Sequence, residues 1–238
     1  MKLGEKQSVD LSVVMPCLNE IHTVAASVWE AYSFMENNKI SGEVLVVDNG
    51  SEDGSAAAAK KAGARVILQP KRGYGNAIRT GIENSRGSVI IIGDCDTTYD
   101  FLHLEEMYRM LSTQEYDMVI GNRFGGGMES GSMPWLHKWG VLFLSKFGRI
   151  IWNTDIFDFH CGLRGMTRRS AELLDFHTEG MEFATEMIEK AVKRGISIVQ
   201  VPVVLRKCNY QRKSKLRTIR DGLRHLLYMI QNIDIGRE

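Results

Sequence analysis

The chain has 238 residues, of which 44% are hydrophobic and 25% charged, enough for a sizeable core in one domain. Thirty basic and 29 acidic residues leave a net charge of +1, so the composition does not indicate a nucleic-acid partner. The four widely spaced cysteines form no CxxC motif and predict neither a zinc site nor a disulfide framework. No run of 18 apolar residues and no signal peptide occurs, so we expect a cytoplasmic location.

Short apolar segments alternate with helical patterns through the first half of the chain. The segments that predict strands are residues 11–15, 43–47, 65–68, 89–92 and 118–121. Alanine content and apolar spacing predict helices between them. This repetition predicts an α/β fold with a mostly parallel central sheet and helices on both faces.

The pattern changes after about residue 125. A glycine-rich loop precedes a predicted helix at 136–152, and residues 158–164, DFHCGLR, predict a turn or loop. A helix at 180–195, a strand within 196–205 and a final helix at 214–233 complete the predicted elements.

Polar and acidic residues follow each of the first five predicted strands. These segments read PCLNE, DNGSEDGS, QPKRGYGN, GDCDTTYD and GNRF. In parallel sheets, ligands bind beyond the carboxyl ends of the strands, where loops and helix N-termini meet. We therefore expect a binding site at this edge.

Asp94 and Asp96 flank Cys95 directly after a buried strand. In an extended segment alternate side chains point the same way, so both carboxylates can face one ion. Oxygen ligands suit Mg²⁺ or Mn²⁺, which often bridge protein carboxylates to substrate phosphates. A capped turn without a ligand is the simpler alternative. We also expect Asp100 to cap the helix that follows.

A second enzyme chemistry fits the same residues. The segment DCDTT matches the D-x-D-x-T signature of haloacid-dehalogenase-like phosphatases, in which the first aspartate is the nucleophile. Those enzymes also need a downstream acidic motif of the GDxxxD type, which this chain lacks. A non-catalytic protein that binds a nucleotide sugar is a further alternative.

Four segments together decide between these hypotheses. VVMPCLNE, VLVVDNGSEDGS, KRGYGNAIRTGI and GDCDTTYD have an order and spacing that resemble glycosyltransferase family 2, the inverting GT-A enzymes. The resemblance continues through GNRF, MPWLH, DFHCGLRGM, GMEFATEM and IRDGLRHL, over about residues 10 to 230. It is strongest to the branch of dolichol-phosphate mannose synthase and bacterial polyprenyl-phosphate glycosyltransferases.

The resemblance implies one GT-A catalytic domain over residues 1–238. Its parts would be a nucleotide-binding half (1–125), an acceptor half (126–205) and a basic amphipathic segment (206–238). It implies a UDP- or GDP-sugar donor, an Mg²⁺ or Mn²⁺ ion, and a polyprenyl phosphate acceptor. A soluble small-molecule or saccharide acceptor is the alternative.

The resemblance also implies roles for individual residues. The residues expected to bind the donor are Pro16, Leu18, Asn19, Glu20, Val46, Asp48, Gly75, Asp94, Cys95 and Asp96. Asp96 would be the main metal ligand, with Asp94 and Thr98 beside it. The residues expected on the acceptor or phosphate side are Arg123, His160, Arg164, Arg212 and Lys215. We expect Asp94, Asp96, Arg123 and Asp158 to act in catalysis, with Asp158, Glu182 and Glu186 as candidate bases. Glu186 could instead be a solvated side chain on a helix surface.

The C-terminal part of the chain is strongly basic. Residues 206–225 contain eight Lys or Arg and one Asp, which suggests an anionic partner. An apolar helical stripe is formed by Leu216, Ile219, Leu223, Leu226, Leu227 and Ile230. This stripe predicts either peripheral contact with the cytoplasmic face of a membrane or packing against the core.

Overall fold

The computed structural model describes residues 9–208, residue 210 and residues 218–233. The strands are β1 (Val9–Cys17), β2 (Gly42–Asp48), β3 (Arg65–Leu68), β4 (Gly87–Ile92), β5 (Met118–Asn122), β6 (Arg164–Thr167) and β7 (Ile198–Pro202). The helices are α1 (Val24–Asn37), α2 (Ser55–Lys61), α3 (Tyr74–Asn84), α4 (Glu105–Ser112), α5 (Arg123–Gly126), α6 (Trp135–Trp152), α7 (Arg168–Leu173), α8 (Phe183–Lys193) and α9 (Thr218–Gln231).

The strands form one sheet in the order β3-β2-β1-β4-β6-β5-β7. Strand β6 is antiparallel to β4 and β5, and the other neighbouring strands are parallel. Strand β1 lies between β2 and β4, with Val14 opposite Leu45 and Ile92. The predicted α/β fold with a mostly parallel sheet is confirmed.

The central strands are apolar on both sides. Leu11, Val13, Val14 and Met15 of β1 are all fully buried. A strand covered on one face only would alternate apolar and polar residues, whereas these strands do not. Helix α3 packs so closely on the sheet that a Cβ at Gly81 would lie 2.2 Å from Val14 Cγ1.

The sequence did not predict strand β6, nor the short helices α5 and α7. Strand β6 begins at Arg164, the last residue of the segment expected to form a loop. It has four residues, all of them buried. A Cβ at Gly165 would lie 2.5 Å from Leu111 Cδ1, so glycine admits α4 against the sheet here. A segment of four residues is too short to show a clear apolar pattern, and glycine is uncommon inside strands, so the sequence gives no sign of a strand here.

The expected cap at Asp100 is also wrong. Helix α4 begins at Glu105, after Leu104. Asp100 instead accepts a hydrogen bond from the Leu102 amide at 3.0 Å and forms an ion pair with Arg206. It therefore stabilises the turn that precedes the helix and the contact with the segment after β7.

Candidate active site at the carboxyl edge of the sheet

A cavity of about 770 Å³ lies at the carboxyl ends of the central strands, and segments from both halves of the chain line it. The sequence-predicted residues in its wall are Pro16, Leu18, Glu20, Asp94, Cys95, Asp96, Thr98, Arg123, His160 and Arg164. The predicted residues outside its wall are Asn19, Val46, Asp48, Gly75 and Asp158. Arg212 and Lys215 lie outside the described residues.

Asp96 is held by the turn that follows β4. Its Oδ1 accepts a hydrogen bond from the Thr98 amide at 3.0 Å and another from the Thr98 hydroxyl. Thr97 between them has a φ of 65°, in the left-handed region. The side chain of Asp96 is 5% exposed and contributes to the cavity wall. Thr98 thus orients the carboxylate within the turn.

Asp94 lies against Gly162 and two tyrosines. A Cβ at Gly162 would be 2.8 Å from Asp94 Oδ2 and 3.1 Å from the Tyr99 ring. The Gly162 amide donates to the Tyr99 hydroxyl at 2.7 Å. Burial, and next the charge of Asp94, raise the pKa of Tyr74 well above its usual value. Both phenols therefore stay protonated beside this carboxylate at neutral pH.

The two aspartates fit a hard divalent cation in one particular way. Among the described residues, no group of three or more His, Cys, Asp or Glu side chains could enclose an ion. Mg²⁺ commonly uses only one or two protein carboxylates and takes its other ligands from substrate phosphates and water. Two carboxylates in the wall of an open cavity match that donor set.

The loops after β1 and β2 brace each other. The Asn19 amide donates to Ser51 Oγ at 2.9 Å, and Asn19 Oδ1 accepts from the Glu52 amide at 2.9 Å. The Glu20 amide donates to Ser55 Oγ at 2.7 Å. These bonds fix the segment that presents Pro16, Leu18 and Glu20 to the cavity.

Three residues predicted to bind the donor instead make contacts within the protein and do not line the cavity. Val46 is fully buried in the core of the sheet. Asp48 is buried and accepts from the Ser51 amide at 3.3 Å, within the loop after β2. A Cβ at Gly75 would lie 2.3 Å from the Thr178 carbonyl oxygen, so glycine allows α3 to meet the loop before α8.

Arg123 and Asp158 form a buried ion pair in the middle of the site. Arg123 Nε and Nη2 donate to the two oxygens of Asp158, each at 2.7 Å. The Arg123 amide adds a third bond at 3.1 Å. Burial opposes the charge of Arg123, but Tyr99 and Asp158 outweigh it and raise the pKa of Arg123. Arg123 thus stays charged in the cavity wall, with Asp158 behind it.

Arg164 contributes a second buried positive charge. Its guanidinium donates to the carbonyl oxygens of Cys161 and Ala184 at 2.7 Å and to that of Phe159. Burial lowers the pKa of Arg164, but not to a value at which an arginine loses its proton. Carbonyl oxygens satisfy these donors without cancelling the charge, so Arg164 makes this part of the cavity positive.

Three histidines line the same part of the cavity: His137 from α6, His160 from the loop before β6, and His225 from α9. The His160 and His225 rings are perpendicular, with centroids 4.4 Å apart. Thr185 Oγ1 lies 2.7 Å from His225 Nδ1. Sequence reasoning singled out only His160. The sequence did contain a signal for His225. His225 lies two residues from both Leu223 and Leu227, which places it on the side of helix α9 opposite the apolar stripe.

Two glutamates considered as bases have other partners. Glu186 is 1% exposed and accepts from the amides of His177 and Thr178 at 2.7 and 2.9 Å. The hypothesis of a solvated Glu186 is wrong, because the loop before α8 folds over it. Glu182 accepts from Arg224 Nη2 at 2.8 Å and thereby joins α8 to α9.

Helices α6 and α9 pack together and share an exposed apolar face. This apolar face consists of Trp135, Trp139, Phe143 and Ile150 of α6 and Ile219, Leu223, Leu227 and Ile230 of α9. Each of these side chains is more than half exposed. The opposite sides of both helices line the cavity. In the described part of the chain, no helix has the length and apolar content needed to cross a membrane.

The chain is similar in sequence to proteins named as sugar transferases. The chain is 36% identical to the low-salt glycan biosynthesis hexosyltransferase Agl6 of Haloferax volcanii, over 93% of this chain and 53% of that protein. It thus spans about half the length of that relative. It is 30% identical to a dolichyl-phosphate beta-glucosyltransferase of Homo sapiens, over 84% of this chain and 68% of that one.

Solved structures show the same fold. Glucosyl-3-phosphoglycerate synthase from Mycobacterium tuberculosis, in complex with Mn²⁺, UDP and glucosyl-3-phosphoglycerate, superposes with a TM-score of 0.73. The sequences are 18% identical, and the match covers 93% of this chain and 78% of that one. The predicted GT-A fold is confirmed.

The family model described as "Glycosyl transferase family 2" matches residues 12–174, which include the strand-end loops and Arg123–Asp158. The resemblance inferred from the sequence is confirmed, and with it the glycosyltransferase class. The family model matches most of the length of the chain, and the strand-end loops that it includes surround one cavity. This chain therefore belongs to glycosyl transferase family 2.

Proposed function

We propose that the chain catalyses the metal-dependent, inverting transfer of a sugar from a UDP- or GDP-sugar to a polyprenyl phosphate. The observation that carries this proposal is the set of side chains that line this cavity. Its wall holds two carboxylates, Asp94 and Asp96, together with Arg123, Arg164 and three histidines. A metal and a donor diphosphate suit the carboxylates, and an acceptor phosphate suits the cationic and imidazole groups.

On the donor side, Asp94 and Asp96 would hold Mg²⁺ or Mn²⁺. The ion would supply Lewis-acid stabilisation of the charge that grows on the nucleoside diphosphate leaving group. Pro16, Leu18 and Glu20 line the wall beside this pair and would contact the nucleoside. The Thr98 bonds keep Asp96 oriented, which reduces the entropy lost when the ion and donor bind.

On the acceptor side, Arg123 would bind the phosphate and Asp158 would hold Arg123 in position. Asp158 is fully buried, and each of its oxygens accepts two hydrogen bonds: Oδ2 from Nε and the amide of Arg123, and Oδ1 from Arg123 Nη2 and the His160 amide. These bonds leave it poorly placed to remove a proton from an acceptor. An ionised phosphate oxygen is already a nucleophile and needs no strong base. In the inverting reaction it would attack the anomeric carbon on the face opposite the departing diphosphate.

We further propose that the apolar face of α6 and α9 rests on an anionic membrane surface. Lys138 and Lys146 on α6 and Arg220 on α9 are exposed on the same helices, and the sequence between β7 and α9 is rich in Lys and Arg. Exposed tryptophans with flanking basic residues are typical of helices lying in a lipid interface. Docking there would place the cavity beside the bilayer that contains a lipid phosphate.

The test uses UDP- and GDP-sugars with the sugar radiolabelled, Mn²⁺ or Mg²⁺, and a short-chain polyprenyl phosphate. Label that moves into an organic-extractable product supports the proposal. Label found entirely in new water-soluble compounds would disprove the lipid acceptor and support the soluble-acceptor alternative. A donor that binds but is never consumed would leave only a nucleotide-sugar binding protein.

A further inference from the structure

His160 and His225 form a pair to which the proposed reaction gives no defined role beyond lining the cavity near the acceptor. The rings are perpendicular, with centroids 4.4 Å apart, and both line the cavity. Thr185 Oγ1 lies 2.7 Å from His225 Nδ1 and 3.5 Å from His160 Nε2, so one hydroxyl orients both rings. His225 is 5% exposed and is carried by α9, the helix that also bears the apolar face.

One nitrogen of this pair is buried without a partner. Nδ1 of His160 has no hydrogen-bond partner among the described residues, although it is shielded from solvent. Buried polar atoms in folded proteins nearly always have a partner, and an exception calls for a ligand or another explanation. Nε2 of His160 and Nδ1 of His225 both face Thr185 Oγ1. The other nitrogen of each ring, Nδ1 of His160 and Nε2 of His225, can therefore serve a bound group.

The charged surroundings of the pair are mostly positive. The groups that face it from neighbouring elements are Arg164 of β6, His137 of α6, Arg123 with its partner Asp158, and Arg224 of α9 with its partner Glu182. Asp221 of α9 also lines the cavity. Burial, then His225 and Arg164, lower the pKa of His160 well below its usual value, and burial and Arg164 lower that of His225 to about 3.

We propose that His160 and His225 together bind the phosphate of the acceptor, and that the pair takes up a proton when the phosphate enters. A phosphate dianion brings the negative charge that this part of the cavity lacks. Its oxygens can accept hydrogen bonds from the imidazole nitrogens that point away from Thr185. A proton on the histidine pair is then stabilised by the negative charge of the phosphate. Phosphate binding and protonation of the pair therefore favour each other.

This inference rests on the proposed function and adds to it a binding residue, His225, and a proton. It also distinguishes two sources of phosphate in one cavity. The donor diphosphate would lie at Asp94 and Asp96, whereas the acceptor phosphate would lie at the histidines. Replacement of a histidine of this pair should therefore weaken the binding of an acceptor phosphate and leave the binding of the nucleoside diphosphate unchanged.

The experiment is calorimetric titration of the whole chain with three probes: geranyl phosphate, inorganic phosphate, and UDP with Mn²⁺. Each titration is run at pH 7 in two buffers with different ionisation enthalpies, which gives the number of protons taken up. The variants are His225→Gln and Thr185→Val. The control is His177→Gln, because His177 is an exposed histidine that does not line the cavity.

We expect wild type and His177→Gln to take up protons when geranyl phosphate binds. His225→Gln should bind it at least about tenfold more weakly, the effect of one lost hydrogen bond to a charged group, and without proton uptake. UDP binding should be unchanged. Inorganic phosphate that binds with the same uptake would show that the pair recognises the headgroup alone, and uptake with geranyl phosphate only would show that the lipid chain also contributes.

Unchanged geranyl phosphate affinity in His225→Gln, or no proton uptake by the wild-type protein, would overturn the proposal. Equal weakening of UDP and geranyl phosphate would assign the pair to the donor side and would overturn it as well. If His225→Gln does not fold, two other results test the proposal: the affinity of Thr185→Val for geranyl phosphate and the number of protons that wild type takes up. Sugar transfer to a lipid phosphate without these effects would defeat this inference alone, whereas absence of any transfer would defeat the proposed function.

Discussion

Arg123 and Asp158 are joined by two parallel 2.7 Å hydrogen bonds in a site where both side chains are almost completely buried. Arg123 follows β5, and Asp158 follows α6, so the pair ties the two halves of the chain together. Because Arg123 lines the cavity, we expect a change at this contact to affect both folding and the proposed reaction. The predictions below separate those two effects at this pair and elsewhere in the site.

Replacement of Asp158 should reduce both stability and turnover. Asp158→Asn leaves the buried Arg123 charge without its counter-charge, which costs about 3 to 5 kcal/mol of unfolding free energy. Urea unfolding measures this loss. The matched control is Glu52→Gln, which breaks the exposed pair with Arg72 and should change stability by less than about 0.5 kcal/mol. A small loss in Asp158→Asn would show that the pair is dispensable for folding.

Asp96→Ala should weaken metal-dependent binding of a nucleoside diphosphate. The substitution removes a carboxylate in the cavity wall, and we expect a loss of more than about tenfold in affinity for UDP or GDP with Mn²⁺. Thermal-shift titration with and without the metal measures it. Asp175→Asn, at an exposed position, serves as the control. Equal metal dependence in Asp96→Ala and wild type would contradict the assignment of Asp96.

Gly162→Ala should disturb Asp94 without removing it. The added Cβ would lie 2.8 Å from Asp94 Oδ2 and 3.1 Å from the Tyr99 ring, so the carboxylate must shift. We expect a several-fold rise in the Mn²⁺ concentration needed for half-maximal UDP binding.

The control for Gly162→Ala is Gly140→Ala, because a Cβ at Gly140 in α6 meets nothing within 4 Å. Alanine in a helix interior should raise stability there by about 0.5 to 1 kcal/mol and leave metal binding unchanged. If Gly162→Ala behaves in the same way, Asp94 does not need the close approach of the Gly162 backbone.

Trp139→Glu should weaken binding to anionic vesicles. Trp139 is 66% exposed in the apolar face, and a carboxylate there would oppose both apolar insertion and the negative lipid surface. Cosedimentation with phosphatidylglycerol vesicles should fall by about tenfold. Trp29 of α1 is 63% exposed outside this face, so Trp29→Glu should bind as wild type does. Equal losses in the two variants would mean that the apolar face has no special affinity for lipid.

Stability should fall on acidification between about pH 6.5 and pH 3. Burial lowers the pKa of His225 to about 3 in the folded chain, while the unfolded chain has the usual value near 6.5. The unfolded chain therefore binds more protons in this window, and unfolding becomes easier as the pH falls. His225→Gln removes this contribution of up to about 1.4 kcal/mol per pH unit.

Urea unfolding at pH 7 and pH 5.5 tests the histidine contribution above the range in which most carboxylates titrate. The loss of unfolding free energy between the two pH values should be smaller in His225→Gln than in wild type. Exposed His177 provides the comparison, and His177→Gln should lose as much stability as wild type does. An identical loss in His225→Gln would show that this histidine is not held neutral by the fold.

The parts of the site that follow directly from a strand were predictable from the sequence. Asp94 and Asp96 follow β4, Pro16 is the second-last residue of β1, and Leu18 and Glu20 follow that strand. Apolar runs predict where strands end, and parallel strands bring their carboxyl ends to one edge. Gly75 and Val46 also lie next to this edge, but their contacts within the core could be known only from packing.

The sequence by itself determined the alternation of the first five strands with helices, the carboxylates at the strand ends and the family, because these depend on local patterns and short motifs. The tertiary structure alone decided that Asp158 belongs to Arg123, that Glu186 is buried, and that His225 of α9 faces His160. Such pairings join segments distant along the chain. They depend on how helices pack across the cavity, and no local periodicity encodes that geometry.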